Sequence, residues 1–260
     1  MNSKAFALLL GVFTGLSSVS AVAVEDKNMD VASKVFSLYL GESRVIYNPA
    51  LSGATLTVIN KQNYPMLIQS EVLAENKKDK ASFIVTPPLF RLDAHQSSRL
   101  RIIRTGGVFP EDRETLQWIC VKGIPPKEDD KWAGSKNGDN KKSSSISLQV
   151  QFIVNSCIKL FVRPTAVKGY PDDVAGSVEW NKIDNKLTAY NPTPFYINLA
   201  ELSVGDKKMN VRNYISPYSS YEYDFPVGAS GKVRWKIITD HGGKSEEFTS
   251  ELKITAITEQ

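Results

Sequence analysis

Two cysteines and two histidines are all that the 260 residues contain. Once the cysteines are paired with each other, no ligand cluster of zinc-site composition remains. His95 and His241 both sit in turn sequences, Leu-Asp-Ala-His-Gln and Asp-His-Gly-Gly, where a solvated ring is the ordinary outcome. No serine stands between glycines at nucleophile-elbow spacing, and no glycine-rich loop joins a strand to a helix. Asp112 and Glu114 flank Arg113 and read as turn charges rather than as an acid–base pair. The sequence therefore predicts no enzyme, no metal and no cofactor. Long apolar runs are missing after residue 23, so no later segment is expected to cross a bilayer. Concentrated positive charge is missing too: a net charge of +4 argues against a dedicated nucleic-acid binder. Finally, no apolar period of 3.6 residues is sustained anywhere, which points to an all-β chain.

What is present begins with a targeting segment. Lys4 supplies a positive start, Ala5 to Leu16 is apolar but too short to span a membrane, and Ala21-Val22-Ala23 is a small-x-small cleavage site. Residues 1–23 are expected to be an export signal, cut after Ala23. Export gives Cys120 and Cys157 a meaning. Both lie in strand-like sequence, and in an oxidising compartment the simplest expectation is one disulfide, the alternative being two free thiols.

Short strand-like runs follow one another along the mature chain. Arg44–Tyr47, Ala54–Asn60, Met66–Leu73, Ser98–Arg104 and Thr115–Lys122 lie in the first half, and Val35–Leu40 reads as one further strand. Phe83–Leu92 is interrupted by Pro87 and Pro88, which places the break at an edge or at a switch between sheets, with a cis bond before Pro88 as a candidate. Lys127–Ser145 is charged and polar, with Trp132 as its apolar anchor, and reads as a mobile loop. Arg163-Pro164 and the turn Lys168–Asp173 read as a linker. Beyond it, Ser177–Trp180 and Leu187–Tyr190 about a turn at Asp184-Asn185 form an expected hairpin, followed by more short strands. Two such sets predict two β-sandwiches, residues 24–164 and 165–260.

One run stands apart. Ile146, Leu148, Val150, Phe152 and Val154 occupy alternate positions, with Ser147, Gln149 and Gln151 between, the period of a strand with one apolar face. The run continues after Cys157 into Lys159-Leu-Phe-Val. Two readings stay open from pattern alone: an internal strand covering its own domain's core, or an apolar row offered to another protein.

The motifs Gly41-Glu-Ser-Arg44-Val-Ile-Tyr47, Val85–Leu92, Phe109–Glu114, Ile124-Pro-Pro126, Cys157–Pro164, Tyr190–Tyr196 and Ile237–Gly242, taken together and in this order, resemble the periplasmic pilus-assembly chaperone family, PapD-like. The long polar loop, the extended N-terminus and the cysteine pair resemble its long-loop subfamily, whose members serve capsules and thin, non-pilus adhesive fibres. The resemblance implies two immunoglobulin-like domains set in an L and a periplasmic location. It assigns Arg44 and Lys159 to anchoring the subunit's terminal carboxylate. It assigns Glu114, Arg163 and Asp240 to an interdomain charge set. It also makes Ile146, Leu148, Val150, Phe152 and Val154 a strand donated to an incomplete client sandwich, with Val31–Leu38 as a second contact strand. Implied partners are the fibre or capsule subunit of the same system, an outer-membrane usher and, when free, a second copy of the chain. Nucleic acid and membrane insertion are not expected. The rival expectation is a fimbrial adhesin or structural subunit with the same fold.

Overall fold

The computed structural model describes residues 31–36, 38–127, 130–133, 148–211 and 214–255, with backbone alone at 31–36, 133, 148–152 and 255. Residues 1–23, where an export signal is expected, Ile146 and most of the polar loop lie outside the described residues. The first half consists of β1 (Val31–Phe36), β2 (Tyr39–Leu40), β3 (Arg44–Tyr47), β4 (Ala54–Ile59), β5 (Met66–Ala74), β6 (Phe83–Thr86), β7 (Leu89–Leu92), β8 (Ser97–Arg104), β9 (Thr115–Ile124), β10 (Leu148–Ile153) and β11 (Asn155–Val162). A five-stranded sheet, β3-β11-β9-β5-β7, packs on a four-stranded sheet, β2-β4-β8-β6.

Period-two patterning explains the core between them. In β5, Met66, Ile68, Ser70 and Val72 are buried while Gln69 and Glu71 are exposed, as a pleated strand with one covered face requires. Leu56 and Val58 of β4, Leu100 and Ile102 of β8, Ile119 and Val121 of β9, and Leu160 and Val162 of β11 complete the same cluster. The proline break is a switch between sheets: β6 pairs with β8 in the smaller sheet, β7 with β5 in the larger, each at an edge. The cis bond precedes Pro87, not Pro88.

After a short helix, α1 (Pro171–Val174), the second half holds β12 (Glu179–Ile183), β13 (Lys186–Asn191), β14 (Ile197–Val204), β15 (Lys207–Lys208), β16 (Tyr214–Ile215), β17 (Ser219–Asp224), β18 (Val233–Ile237), β19 (Phe248–Ser250) and β20 (Lys253–Thr255). β12 and β13 form the expected hairpin about Asp184, whose φ of 51° is left-handed. The sheets β17-β13-β12-β20 and β15-β14-β18-β19 sandwich a core centred on Trp180 and Trp235, whose rings lie 5.4 Å apart.

Two expectations are corrected. Val35–Leu40 is not one strand: β1 and β2 belong to different sheets. The row from Ile146 does not run unbroken into Lys159-Leu-Phe-Val either. β10 ends at Ile153, Val154 lies in the break and is 42% exposed, and β11 starts at Asn155. β11 belongs to the sandwich, whereas β10 pairs, among the described residues, with β1 alone. That pairing is parallel, from Val31 opposite Leu148 to Phe36 opposite Ile153. Among the described residues, β10 is thus a strand of neither sandwich sheet, where the pattern had left an internal strand open.

Candidate functional site: the cleft between the domains

The cleft is built from one face of β9 and β11. Ile119 and Val121 of β9 point into the first core; Leu116, Trp118 and Cys120, on the opposite face, meet Phe161 and Tyr196 in a separate buried cluster. Tyr196 precedes β14, so this cluster joins the two domains. Its rings are in contact: Phe161 and Tyr196 are 5.5 Å apart, Tyr196 and Tyr214 5.3 Å. Cys120 and Cys157 lie directly opposite one another in the antiparallel β9–β11 pair, with Cα atoms 4.0 Å apart, and form a disulfide. It closes a sequence separation of 37 residues. Opening it with reductant should lower the unfolding free energy by about 2–4 kcal/mol, read as a shift in denaturant midpoint against the unreduced chain.

Arg44 and Lys159 stand side by side. β3 and β11 run parallel with Lys159 in register with Arg44, on the face shared with Cys157 and Phe161 rather than with the core residues Val45 and Leu160. Arg44 is 8% exposed; one Nη donates to the carbonyl of Ile238 at 3.1 Å, and its Nε is buried without a partner. Burial lowers its pKa, against the fields of Asp240 and Glu114. The Lys159 ammonium donates to Asn198 Oδ1 and lies 4.7 Å from the centre of the Tyr214 ring. Burial, with Arg44 and Lys77 adding repulsion, pushes its pKa down to about 8. Among the described residues, neither cation has a carboxylate within ion-pair distance. Two adjacent, partly desolvated cations with no carboxylate of the described residues in ion-pair reach have the donors to share one anion, for which a flat guanidinium can offer a bidentate fork.

Glu114, Arg163 and Asp240 do converge. Arg163 Nε donates to Glu114 at 2.7 Å, and its two Nη groups donate to the two oxygens of Asp240 at 2.6 and 2.8 Å. The second Glu114 oxygen accepts the backbone N–H of Tyr196 at 2.8 Å, and the Glu114 N–H donates to the Pro194 carbonyl at 2.9 Å. Burial pushes the Glu114 carboxyl up, and Arg163 and the Tyr196 N–H pull against it without overcoming it. Burial also works against the Arg163 charge, but the two carboxylates outweigh it and raise its pKa. Local structure sets up these contacts. The amide of fully buried Asn191 donates to the carbonyls of Phe195, Ile215 and Ser216, which fixes the turn carrying Pro194 and Tyr196. Gly242, at φ +83°, ends the Asp240 turn so close to the start of β3 that a Cβ there would collide with Ser43 Oγ.

Some of the site lay outside the sequence reading. Glu75 at the end of β5 accepts the Tyr214 hydroxyl at 2.9 Å and the Tyr196 hydroxyl at 3.3 Å, a second interdomain link. Asn198 and the Ile238 carbonyl, which touch the two cations, were likewise not singled out. An asparagine in a strand carries no signal of its own; only the docking of the second domain gives it a role. Of the predicted donor row, Leu148, Val150 and Phe152 lie in β10, Val154 lies just beyond it, and Ile146 lies outside the described residues.

Two sandwiches that meet along a cationic cleft, with a further strand pair, β1-β10, outside the sandwich sheets, have the form of a two-domain immunoglobulin-like chaperone. Residues 37–168 match the family model described as pili and flagellar-assembly chaperone, PapD N-terminal domain, and residues 173–249 match pili assembly chaperone PapD, C-terminal domain. The chain belongs to the PapD-like pilus-assembly chaperones. It is 56% identical over 248 residues to chaperone protein AggD of Escherichia coli, which covers 95% of this chain and 96% of the relative. The crystal structure of the E. coli chaperone DraB is similar with a TM-score of 0.76 and 61% identity, over 86% of this chain and all of that one. A chain of the Salmonella enterica SafA pilin–SafB chaperone complex gives 0.77 and 46%, again over 86% of this chain and all of that one. The function is that of a pilus-assembly chaperone, and the fibre-subunit reading is not favoured.

Proposed function

We propose that this chaperone works in the periplasm by completing a fibre or capsule subunit with the β10 strand while Arg44 and Lys159 hold the subunit's terminal carboxylate. The observation that carries the reading is the pair of neighbouring cations in the cleft, without a carboxylate of the described chain to neutralise them. β10 supports it: among the described residues its backbone is paired with β1 alone and with no strand of either sandwich.

A subunit lacking one strand has unpaired edges and an apolar groove, a liability for aggregation. Strand addition answers both. Backbone hydrogen bonds tolerate varied client sequence, and alternate side chains fill the groove, a mode of β-augmentation long associated with chaperone–pilin pairs. Burying five side chains at roughly 1.5–3 kcal/mol each would contribute on the order of 10 kcal/mol before association costs. Anchoring the carboxylate fixes register, because a slip of one residue turns the whole apolar row outward. β1, parallel to β10, widens the ribbon presented to the client.

The role is binding rather than catalysis. The partners are the subunit of the same system, as SafB is found with the SafA pilin, and an outer-membrane usher that receives the loaded subunit. Without a client, the same ribbon is where a second copy would associate. Residues 1–23 would direct export, and the domain boundary would fall at residues 164/165.

Co-expression with the system's fibre subunit tests the anchor. Arg44→Ala or Lys159→Ala should leave the chaperone folded and weaken capture roughly 10- to 100-fold, the worth of one charge-assisted hydrogen bond. The readout is depletion of soluble subunit from the periplasmic fraction. An unchanged soluble pool would remove both residues from the role.

A further inference from the structure

Both anchoring cations stand on strands of the first domain, yet what touches their heads comes from the second. Arg44 donates to the carbonyl of Ile238, the residue just after β18, and Lys159 to the side chain of Asn198 on β14. These two contacts are themselves joined, since the N–H of Ile238 donates to the Asn198 carbonyl at 2.7 Å. Asn198 is 3% exposed, and its amide group donates to the carbonyl of Tyr196 at 3.1 Å, which turns Oδ1 toward the lysine. Tyr214 presents its ring to the same ammonium while its hydroxyl is held by Glu75. Two residues beyond Ile238, Asp240 takes both Nη groups of Arg163, which lies four residues after Lys159. The end of the β14–β18 ladder is thus clamped against the end of β11.

From this geometry we infer that Asn198 is a positioning residue for the carboxylate anchor: its Oδ1 aims the Lys159 ammonium beside Arg44, so the second domain completes a site whose charges belong to the first. The inference rests on the carboxylate-anchor reading above. A neutral amide oxygen suits the task. It accepts from the ammonium and stabilises its charged form without adding a negative charge that would compete with the client's carboxylate. The other groups that face Lys159 are Arg44 from β3 and Lys77 from the turn after β5, both repulsive, and the Tyr214 ring from β16. Asn198 is therefore the one neutral oxygen among the described groups at that ammonium.

The test uses the full mature chain and a synthetic peptide of alternating apolar residues ending in a free carboxylate, with its carboxamide twin as control. Binding is followed from pH 6 to 10 beside the denaturant midpoint of each variant. Wild type should favour the carboxylate peptide over its twin, and the preference should fade as pH rises through about 8, where Lys159 loses its proton. Asn198→Ala removes an acceptor for the charged form, so binding of the carboxylate peptide should fall about tenfold and the preference should fade at lower pH than in wild type. Asn198→Asp keeps the oxygen but adds charge, so the preference should vanish while the carboxamide twin binds as before. A destabilised fold alone would weaken both peptides equally and leave the pH midpoint in place. If Lys159→Ala retains the preference for the carboxylate, the anchor reading fails and this inference with it. If Lys159→Ala loses the preference but both Asn198 variants keep the wild-type value and midpoint, the anchor stands and the role of Asn198 is overturned.

Discussion

Arg163→Ala should destabilise the chain by roughly 3–5 kcal/mol, the loss expected when one partner of a buried ion pair is removed. The arginine is 11% exposed as a side chain, Glu114 2% and Asp240 9%, so its removal strands two carboxylates away from water. It also releases the Asp240 turn from β11 and with it the docking of the second domain. Arg163→Lys should fail almost as badly. A lysine keeps the charge but has no planar fork to satisfy both oxygens of Asp240 and reach Glu114 at once. Denaturant unfolding followed by tryptophan fluorescence measures the effect, since Trp118 lies in the cleft cluster while Trp180 and Trp235 report the second core. Adding Asp240→Ala and Glu114→Gln to Arg163→Ala should recover part of the loss, because no charge is then left buried alone. A loss under about 1 kcal/mol in the single variant would show that the three charges behave as a solvated surface pair, leaving domain orientation to the aromatic cluster.

Replacing Leu148 and Val150 together by Asp should abolish client capture while leaving the chaperone folded. Each substitution removes an apolar side chain worth roughly 1.5–3 kcal/mol in the client's groove and puts a carboxylate in its place, so affinity should drop by more than about a thousandfold. The fold should tolerate the change because β10 belongs to neither sandwich. Pull-down of the fibre subunit, with circular dichroism of the variant as control, measures both halves of the prediction. Undiminished capture would move the binding surface away from β10 and leave the two cations without a register to set.

Much of the fold was legible in the sequence because a strand with one covered face writes its period into the chain. β3 coincides with the run read at Arg44–Tyr47, β4, β5, β8 and β9 differ from their expected bounds by a residue or two, and the hairpin turn falls at Asp184-Asn185. The two prolines marked a switch between sheets because neither can donate to a ladder. The cis bond was expected before Pro88 and lies before Pro87, because X-Pro bonds lie close in energy and tertiary context selects the isomer. The extent of β1 was misread for a physical reason as well: Val31–Phe36 pairs with residues more than a hundred positions later, and parallel pairing leaves no local turn signal.

The chemistry divides in the same way. The alternating row and the pair of strand cysteines were readable one residue at a time, since each is a local pattern or a count. That Lys159 faces Arg44 follows from the parallel register of β3 and β11, which no spacing within either strand contains. The sequence alone determined two all-β sandwiches, their approximate strands and an apolar ribbon with one greasy side, because periodicity and turn chemistry are short-range. Only the tertiary structure decided that, among the described residues, the ribbon pairs with β1 and with neither sandwich sheet. It alone set two cations side by side in partial dryness and brought Asn198, Tyr214 and Ile238 from the other domain to hold them, because burial and register are properties of surfaces that meet across a long stretch of chain.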